Sequence, residues 1–139
     1  MTYRKQKYSA CKLVAAINAR IFLGGSDVSN EEFEMMVDLA KCRYGAALNV
    51  DACYPKLELV HKDGPLDTMP LQWVRENLPV EIGYADPNLG FHSALITEVI
   101  EDKVVLINAS WPEVQWSEIY FYPDEYNRKL RSFKWKLKP

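Results

Sequence analysis

Hydrophobic positions recur at helical spacing in the first third of the chain, which predicts two helices there. The first helix should begin near residues 9–11 and end at Gly24-Gly25, and because nearly all of its circumference is apolar or small, we expect it at the centre of a core. Ser29 and Glu32 have the spacing of a capping box, so the second helix should begin at Ser29. Gly45 is the expected end of that helix.

The pattern changes to that of short β-strands after residue 79. Before the change, Thr68 with Pro70 just inside it predicts a short third helix. The runs 92–100 and 103–108 favour a hairpin, and other strands are expected at 80–84, within 111–122 and at 132–138. Helices that precede strands predict an α+β domain in which N-terminal helices pack on a C-terminal antiparallel sheet.

Composition narrows the class of protein. The chain has 139 residues, of which 48% are hydrophobic and 26% charged, and this predicts one globular domain. Seventeen basic and 19 acidic residues give a net charge of −2, which argues against a nucleic-acid binder, although both ends of the chain are basic and keep a nucleic-acid module as a distant alternative. No apolar run approaches the roughly 20 residues of a membrane span.

The location of the protein is predicted from its cysteines and its N-terminus. Three cysteines, an odd number, favour a reducing compartment, so the cytoplasm is the expected location. The apolar stretch near the N-terminus is interrupted by three polar residues, Lys12, Asn18 and Arg20. It therefore predicts no targeting segment.

Cys11 is the first residue that points to chemistry, because it lies at the predicted start of the first helix. Unpaired N–H groups and the helix dipole at that end stabilise an anion, and this favours the nucleophilic thiolate. A small buried residue is the alternative interpretation of Cys11, as it is for Cys42 and Cys53.

His92 and Asn108 occupy matching ends of the predicted hairpin. His92 opens one β-run and Asn108 closes the next, so the hairpin would bring both to the same open end. An amide carbonyl at that place can hold an imidazole in one orientation. Each residue alone also has an ordinary explanation near a turn, and His61, the other histidine, is expected in a polar surface loop.

The order of these three residues resembles the papain-like cysteine peptidases, in which a cysteine at a helix N-terminus faces a histidine and an asparagine or aspartate from the sheet. The segments that carry the resemblance are Tyr8-Ser9-Ala10-Cys11-Lys12, Phe91-His92-Ser93 and Ile107-Asn108-Ala109. Small members, such as the leader-peptide-cleaving (double-glycine) peptidase domains of bacteriocin exporters, are similar in length and spacing. The resemblance covers roughly residues 6–122 and implies one papain-like domain over 1–139.

The resemblance implies a role for each matched residue. Cys11 would be the nucleophile, His92 the general base and acid, and Asn108 the residue that orients His92. Gln6 would donate to the oxyanion, although it precedes Cys11 by five residues where the family pattern has six. Lys12 occupies a position at which relatives often have a small residue, and it could crowd the entrance or help to hold a thiolate.

The function implied is hydrolysis of a peptide, isopeptide or amide bond in a peptide or protein substrate through an acyl-enzyme. Tyr84, Phe91 and Trp111 flank His92 or Asn108 and are the expected substrate contacts. No cofactor is implied, and no metal, because the histidines and cysteines lack zinc-ligand spacing. Two alternatives remain: an inactive member of the fold that binds a protein or peptide, and amide transfer or deamidation by the same three residues.

Overall fold

Three α-helices, three short 3-10 helices and six strands form the described part of the computed structural model, which comprises residues 2–45, 49–64, 71–120 and 130–136. The α-helices are α1 (Cys11–Phe22), α2 (Asn30–Ala40) and α3 (Leu71–Glu76). The strands are β1 (Leu59–Asp63), β2 (Val80–Asp86), β3 (Gly90–Ile100), β4 (Lys103–Ile107), β5 (Glu113–Gln115) and β6 (Leu130–Trp135).

The strands form one antiparallel sheet in the order β1-β6-β2-β3-β4-β5. Helices α1 and α2 pack on one face, where they share a core with Leu95 and Phe133 from the sheet. A second core covers the other face and includes Val74 of α3 together with Ile82 and Ile96. The α+β architecture predicted from the sequence is therefore confirmed.

The two long helices follow the pattern from which they were predicted. Eight residues of α1 are buried, which agrees with its apolar circumference. The capping box of α2 is present, since Ser29 Oγ accepts from the Glu32 N–H at 3.1 Å and Glu32 Oε1 accepts from the Ser29 N–H at 3.1 Å. The expected end at Gly45 is wrong, because Lys41 takes a left-handed conformation (φ 57°) and α2 ends at Ala40.

The predicted hairpin is confirmed as β3 and β4, whose register places Ile100 opposite Lys103. The prediction for His61 is wrong, because this residue lies in a strand and not in a loop. It belongs to β1 and is paired with Phe133 of β6. The run at 80–84 extends to Asp86, and the strand expected within 111–122 is the short β5, which is followed by one turn of 3-10 helix at Trp116–Glu118. Thr68 and Pro70 lie outside the described residues, which resume at the start of α3.

Candidate active site

Cys11 is the first residue of α1 and is partly exposed. The residue before it, Ala10, has no side chain that could cap the helix, so the first N–H groups of α1 have no side-chain cap. Burial raises the pKa of the Cys11 thiol, but hydrogen bonds with the His92 imidazole and the main chain of Ser93 outweigh this effect, and the pKa is lowered overall. The thiol therefore has the environment of an activated nucleophile.

The His92 imidazole connects Cys11 with the end of β4. Its Nε2 lies 2.6 Å from the main-chain oxygen of Asn108. Because a carbonyl can only accept, Nε2 carries a proton, and Nδ1 is the ring nitrogen that remains for the thiol. Burial lowers the pKa of His92, but the Cys11 thiol, the Asn108 carbonyl and the negative charge of Asp86 raise it overall.

The side chain of Asn108 faces Gln6 rather than His92. Asn108 Oδ1 accepts from the main-chain N–H of Gln6 at 3.3 Å, and Asn108 Nδ2 donates to Gln6 Oε1 at 3.2 Å. The residue follows β4 in a left-handed conformation (φ 64°), with its carbonyl beside His92 and its amide beside Gln6. We expected the side-chain amide to orient His92, but in the structure the main-chain carbonyl makes this contact.

Gln6 belongs to an N-terminal strap, residues 2–7, that is fixed along α1. Asn18 in α1 is fully buried and makes two bonds to the main chain of Arg4: Asn18 Oδ1 accepts from its N–H at 2.7 Å and Asn18 Nδ2 donates to its carbonyl at 3.1 Å. The Arg4 guanidinium also pairs with Asp27 at 2.8 Å. These contacts place Gln6 beside Asn108, and Gln6 Nε2 donates to the main-chain oxygen of Tyr8 at 3.3 Å.

Asp86, at the end of β2, is a buried carboxylate next to this group that we did not predict from the sequence. Segment 85–90 is rich in turn-forming residues, which is typical of a loop. The side chain of Asp86 instead accepts from the N–H groups of Asn88 (2.9 Å) and Leu89 (3.0 Å), which is the pattern of a turn held by an aspartate. It also accepts from the Tyr84 hydroxyl at 2.8 Å.

Ser110 completes the surroundings of Asp86. Its main-chain N–H donates to Asp86 at 2.9 Å, and its hydroxyl donates to the other carboxylate oxygen. Burial raises the pKa of Asp86, but the hydrogen bonds from Ser110, Asn88 and Tyr84 lower it well below its ordinary value. Asp86 is therefore a buried anion near His92.

Lys12 lies against the sheet and binds Glu81 of β2, whose side chain is only 3% exposed, with Nζ 3.0 Å from Glu81 Oε2. The other oxygen of Glu81 is buried and has no hydrogen-bond partner among the described residues. The negative charge of Glu81 raises the pKa of Cys11, although it is a smaller influence than burial or His92. The ammonium group of Lys12 is therefore paired with a buried carboxylate.

The three expected substrate contacts have different environments. Tyr84 is only 3% exposed, and its ring lies edge-on to His92 with 6.1 Å between the ring centroids, so it supports the imidazole from within the fold instead of lining a cleft. Phe91 is 43% and Trp111 51% exposed, and each is close in sequence to a site residue.

Cys42 and Cys53 differ from Cys11 in their surroundings. Both are fully buried, and burial is the main reason why their pKa values are raised, to about 11 for Cys53. Helix α2, which we expected to continue to Gly45, ends before Cys42. All three cysteines are unpaired, and Cys11 is the one with a lowered pKa.

Comparison with solved structures identifies the architecture. The chain superimposes on the peptidase domain of Streptococcus ComA, a bi-functional ABC transporter involved in a quorum-sensing pathway, with a TM-score of 0.67 and 9% sequence identity. The match covers 94% of this chain and 95% of that domain. The fold is that of a papain-like peptidase domain. The resemblance of the sequence to papain-like cysteine peptidases is thus confirmed for the fold.

The papain-like similarity is one of backbone architecture. No protein-family model matches the sequence, and the search of curated proteins found no match. No helix in the described ranges is both long and apolar enough to cross a membrane.

Proposed function

We propose that the protein is a thiol hydrolase that cleaves a peptide, isopeptide or amide bond through an acyl-enzyme on Cys11. The observation that carries this proposal is that the Cys11 thiol, at the start of α1, and the His92 imidazole interact, which lowers the pKa of Cys11 and raises that of His92. A thiol at a helix N-terminus next to an imidazole readily transfers its proton to the ring and becomes a thiolate. The papain-like fold supports the same chemistry.

The reaction begins when the Cys11 thiolate attacks the carbonyl carbon of the scissile bond. The oxyanion that forms is stabilised by the main-chain N–H of Cys11 and by Gln6 Nε2. Protonated His92 gives its Nδ1 proton to the leaving amine, the C–N bond breaks and an acyl-enzyme remains. Neutral His92 then removes a proton from water, the resulting attack releases the acid, and the thiolate is restored.

Asn108 serves two groups in this reaction. Its carbonyl fixes the His92 ring through Nε2, and its side chain holds the carbonyl end of the Gln6 amide. The Gln6 amide nitrogen has two N–H groups, and among the described residues Tyr8 accepts one of them, so the second is available for the oxyanion. The five-residue spacing between Gln6 and Cys11 is therefore compatible with its role as a donor.

A peptide is the proposed substrate class. Phe91 and Trp111 offer exposed aromatic surface beside the residues that carry the chemistry, and we assign them to substrate contact. Since Cys11 acts as a thiol and all three cysteines are unpaired, the reaction suits a reducing compartment such as the cytoplasm.

An activated ester tests for the acyl-enzyme without knowledge of the peptide. We expect p-nitrophenyl acetate to give a burst of nitrophenolate and an acetyl group on Cys11, located by mass spectrometry of proteolytic fragments. Cys11→Ala and His92→Ala should both lack the burst, whereas Cys42→Ala, a control that removes a thiol elsewhere, should keep it. Acetylation of lysines alone, or equal acetylation of all three cysteines, would support the binding-module alternative instead.

Peptide cleavage is tested with a mixture of peptides from a digested proteome. New termini that appear with the wild type and not with Cys11→Ala would define the bond and the residues around it. Addition of a primary amine separates hydrolysis from amide transfer, because transfer would give a product that contains the amine.

A further inference from the structure

Asp86 is a buried ionisable group beside the site that the proposed reaction does not use. Its carboxylate is 3% exposed and accepts hydrogen bonds from a tyrosine, a serine hydroxyl and three main-chain N–H groups. The N–H groups of Asn88 and Leu89 would suffice for a turn, so the bonds from Tyr84 and Ser110 call for another explanation. Both of these residues lead to His92.

The first connection passes through Ser110. The N–H and the hydroxyl of Ser110 both bind Asp86, and Ser110 follows Asn108 by two residues. The carbonyl of Asn108 is the acceptor for His92 Nε2. Asp86 therefore fixes the short segment that carries the hydrogen-bond acceptor of the imidazole.

The second connection passes through Tyr84. Its hydroxyl donates to Asp86 at 2.8 Å, and its ring stands at 68° to the His92 ring, directly opposite in the β2–β3 register. The bond to Asp86 fixes the plane of the tyrosine ring against which the imidazole packs. A single carboxylate thus holds two neighbours of His92.

We propose that Asp86 is the positioning residue of His92, which it orients through Ser110 and Tyr84 and to which it presents a buried negative charge. That this positioning of His92 affects catalysis rests on the proposed function. The main-chain carbonyl of Asn108 fixes the orientation of the imidazole ring but carries no charge. Asp86 therefore stabilises the imidazolium electrostatically, as an ionised third residue does in other triads.

The groups that face His92 among the described residues are few. Cys11 faces it from α1, Tyr84 and Asp86 lie on β2, and the Asn108 carbonyl lies at the end of β4. The charge of Asp86 stabilises the imidazolium form, which agrees with the raised pKa of His92. Loss of this charge should therefore move the titration of His92 to lower pH.

Titration of His92 by NMR tests the inference without any need for activity. The Cys11→Ala background removes the coupled thiol, and His61, the only other histidine, is an internal reference. We expect Asp86→Asn to lower the pKa of His92 by about half a unit to one unit while His61 keeps its value. Asp38→Asn on α2, where the aspartate pairs with Arg43, is the matched control and should leave both histidines unchanged.

The burst with p-nitrophenyl acetate is the second measurement, made with Cys11 in place. Asp86→Asn should reduce the burst rate about tenfold or more, and Ser110→Ala and Tyr84→Phe should each reduce it to a smaller extent. If Asp86→Asn lowers only the thermal stability and leaves both the His92 titration and the burst rate as in the wild type, Asp86 is a turn residue and the inference is wrong.

Failure of the proposed function gives a different result. A wild type without a burst, combined with a shifted His92 titration in Asp86→Asn, would refute the hydrolase and uphold the positioning of His92. Should Asp86→Asn not fold, the same titration on the Ser110→Ala and Tyr84→Phe variants decides: a His92 value moved to lower pH supports the inference, and an unchanged value overturns it.

Discussion

His92 Nε2 lies 2.6 Å from the main-chain oxygen of Asn108, so the orientation of the imidazole does not depend on the side chain at position 108. The amide of Asn108 instead makes two bonds to Gln6. The backbone N–H of Gln6 can bind only an oxygen, and this settles which end of the Asn108 amide faces it. One residue therefore connects the proposed general base with the proposed oxyanion donor.

Because the carbonyl of Asn108 contacts His92 and its side chain contacts Gln6, the variants Asn108→Ala and Asn108→Asp separate the two contacts. Asn108→Ala should keep the pH dependence of Cys11 alkylation, since the carbonyl at 108 remains, yet both variants should slow acylation by p-nitrophenyl acetate. We expect a loss of about tenfold for alanine, less than the roughly 100-fold that follows removal of an oxyanion donor itself. Aspartate should lose more than alanine, because its carboxylate would face the Gln6 oxygen.

Gln6→Ala alone and combined with Asn108→Ala is the control for that experiment. If Asn108 acts through Gln6, the double variant should acylate no more slowly than Gln6→Ala. Losses that multiply, or an alkylation profile shifted by Asn108→Ala, would show that the side chain acts directly on His92.

Cys11 should be alkylated far faster than the other two cysteines at acidic pH. An unperturbed thiol with a pKa near 8.5 is well under about 1% ionised at pH 6. The pKa of Cys11 is lowered, so a larger fraction of it stays ionised as the pH falls. Burial raises the pKa of Cys42 and Cys53 and also shields both thiols from the reagent. Iodoacetamide at pH 6, followed by peptide mass spectrometry, measures the three rates.

His92→Ala should abolish most of the difference in these alkylation rates, because it removes the imidazolium that stabilises the thiolate. Equal, slow alkylation of all three cysteines in the folded wild type would mean that the protein has no activated nucleophile.

Cys11→Ala should fold with nearly the stability of the wild type. The thiol is at a helix N-terminus and partly exposed, so its removal leaves little cavity, and the free energy of unfolding should fall by about 1 kcal/mol or less. Cys53→Ala is the matched substitution at a fully buried site and should cost about 1–2 kcal/mol. Urea unfolding measures both, and a larger loss for Cys11→Ala would favour a core role for this thiol.

The pair of Lys12 and Glu81 should affect both stability and the nucleophile. Lys12→Met leaves a buried carboxylate unpaired, and we expect a loss of about 2 kcal/mol, below the roughly 3–5 kcal/mol of a fully buried pair because the lysine side chain is 23% exposed. Without the ammonium, the charge of Glu81 should also slow alkylation of Cys11 at pH 6. Glu81→Gln should speed this alkylation, because the carboxylate raises the pKa of Cys11.

The double variant Lys12→Met with Glu81→Gln is the control for the pair, since it removes both charges together. It should recover most of the stability that Lys12→Met loses. A Lys12→Met protein as stable as the wild type would contradict a structural role for the ion pair.

Local patterns were sufficient to predict α1, the start of α2 and the β3–β4 hairpin. The capping box at Ser29 and the alternation on either side of residues 101–102 depend on neighbours in the sequence, and such features can be inferred from a few residues. The end of α2 was missed because Lys41 takes a left-handed conformation that glycine and asparagine adopt more readily.

Long-range pairing determines the parts that sequence patterns did not reveal. His61 was expected in a loop because its neighbours are polar, but β6, about 70 residues away, makes this segment a strand. Asp86 has the local pattern of a turn residue, and only the approach of Ser110 and Tyr84 distinguishes it as a buried anion. Nothing in the residues around Asn108 indicates that its side chain would bind Gln6, 102 residues away.

The position of β6 between β1 and β2 has a consequence for biosynthesis. A ribosome adds about 5–20 residues per second, so the N-terminal helices and the β3–β4 hairpin emerge while β1 still lacks its neighbour in the sheet. Arg131, which reaches both Asp51 and the Tyr54 hydroxyl, is synthesised together with β6. A nascent chain therefore carries Cys11 early, but the sheet on which α1 packs stays incomplete until residues 130–135 have been added, so the proposed hydrolysis should not begin before that point.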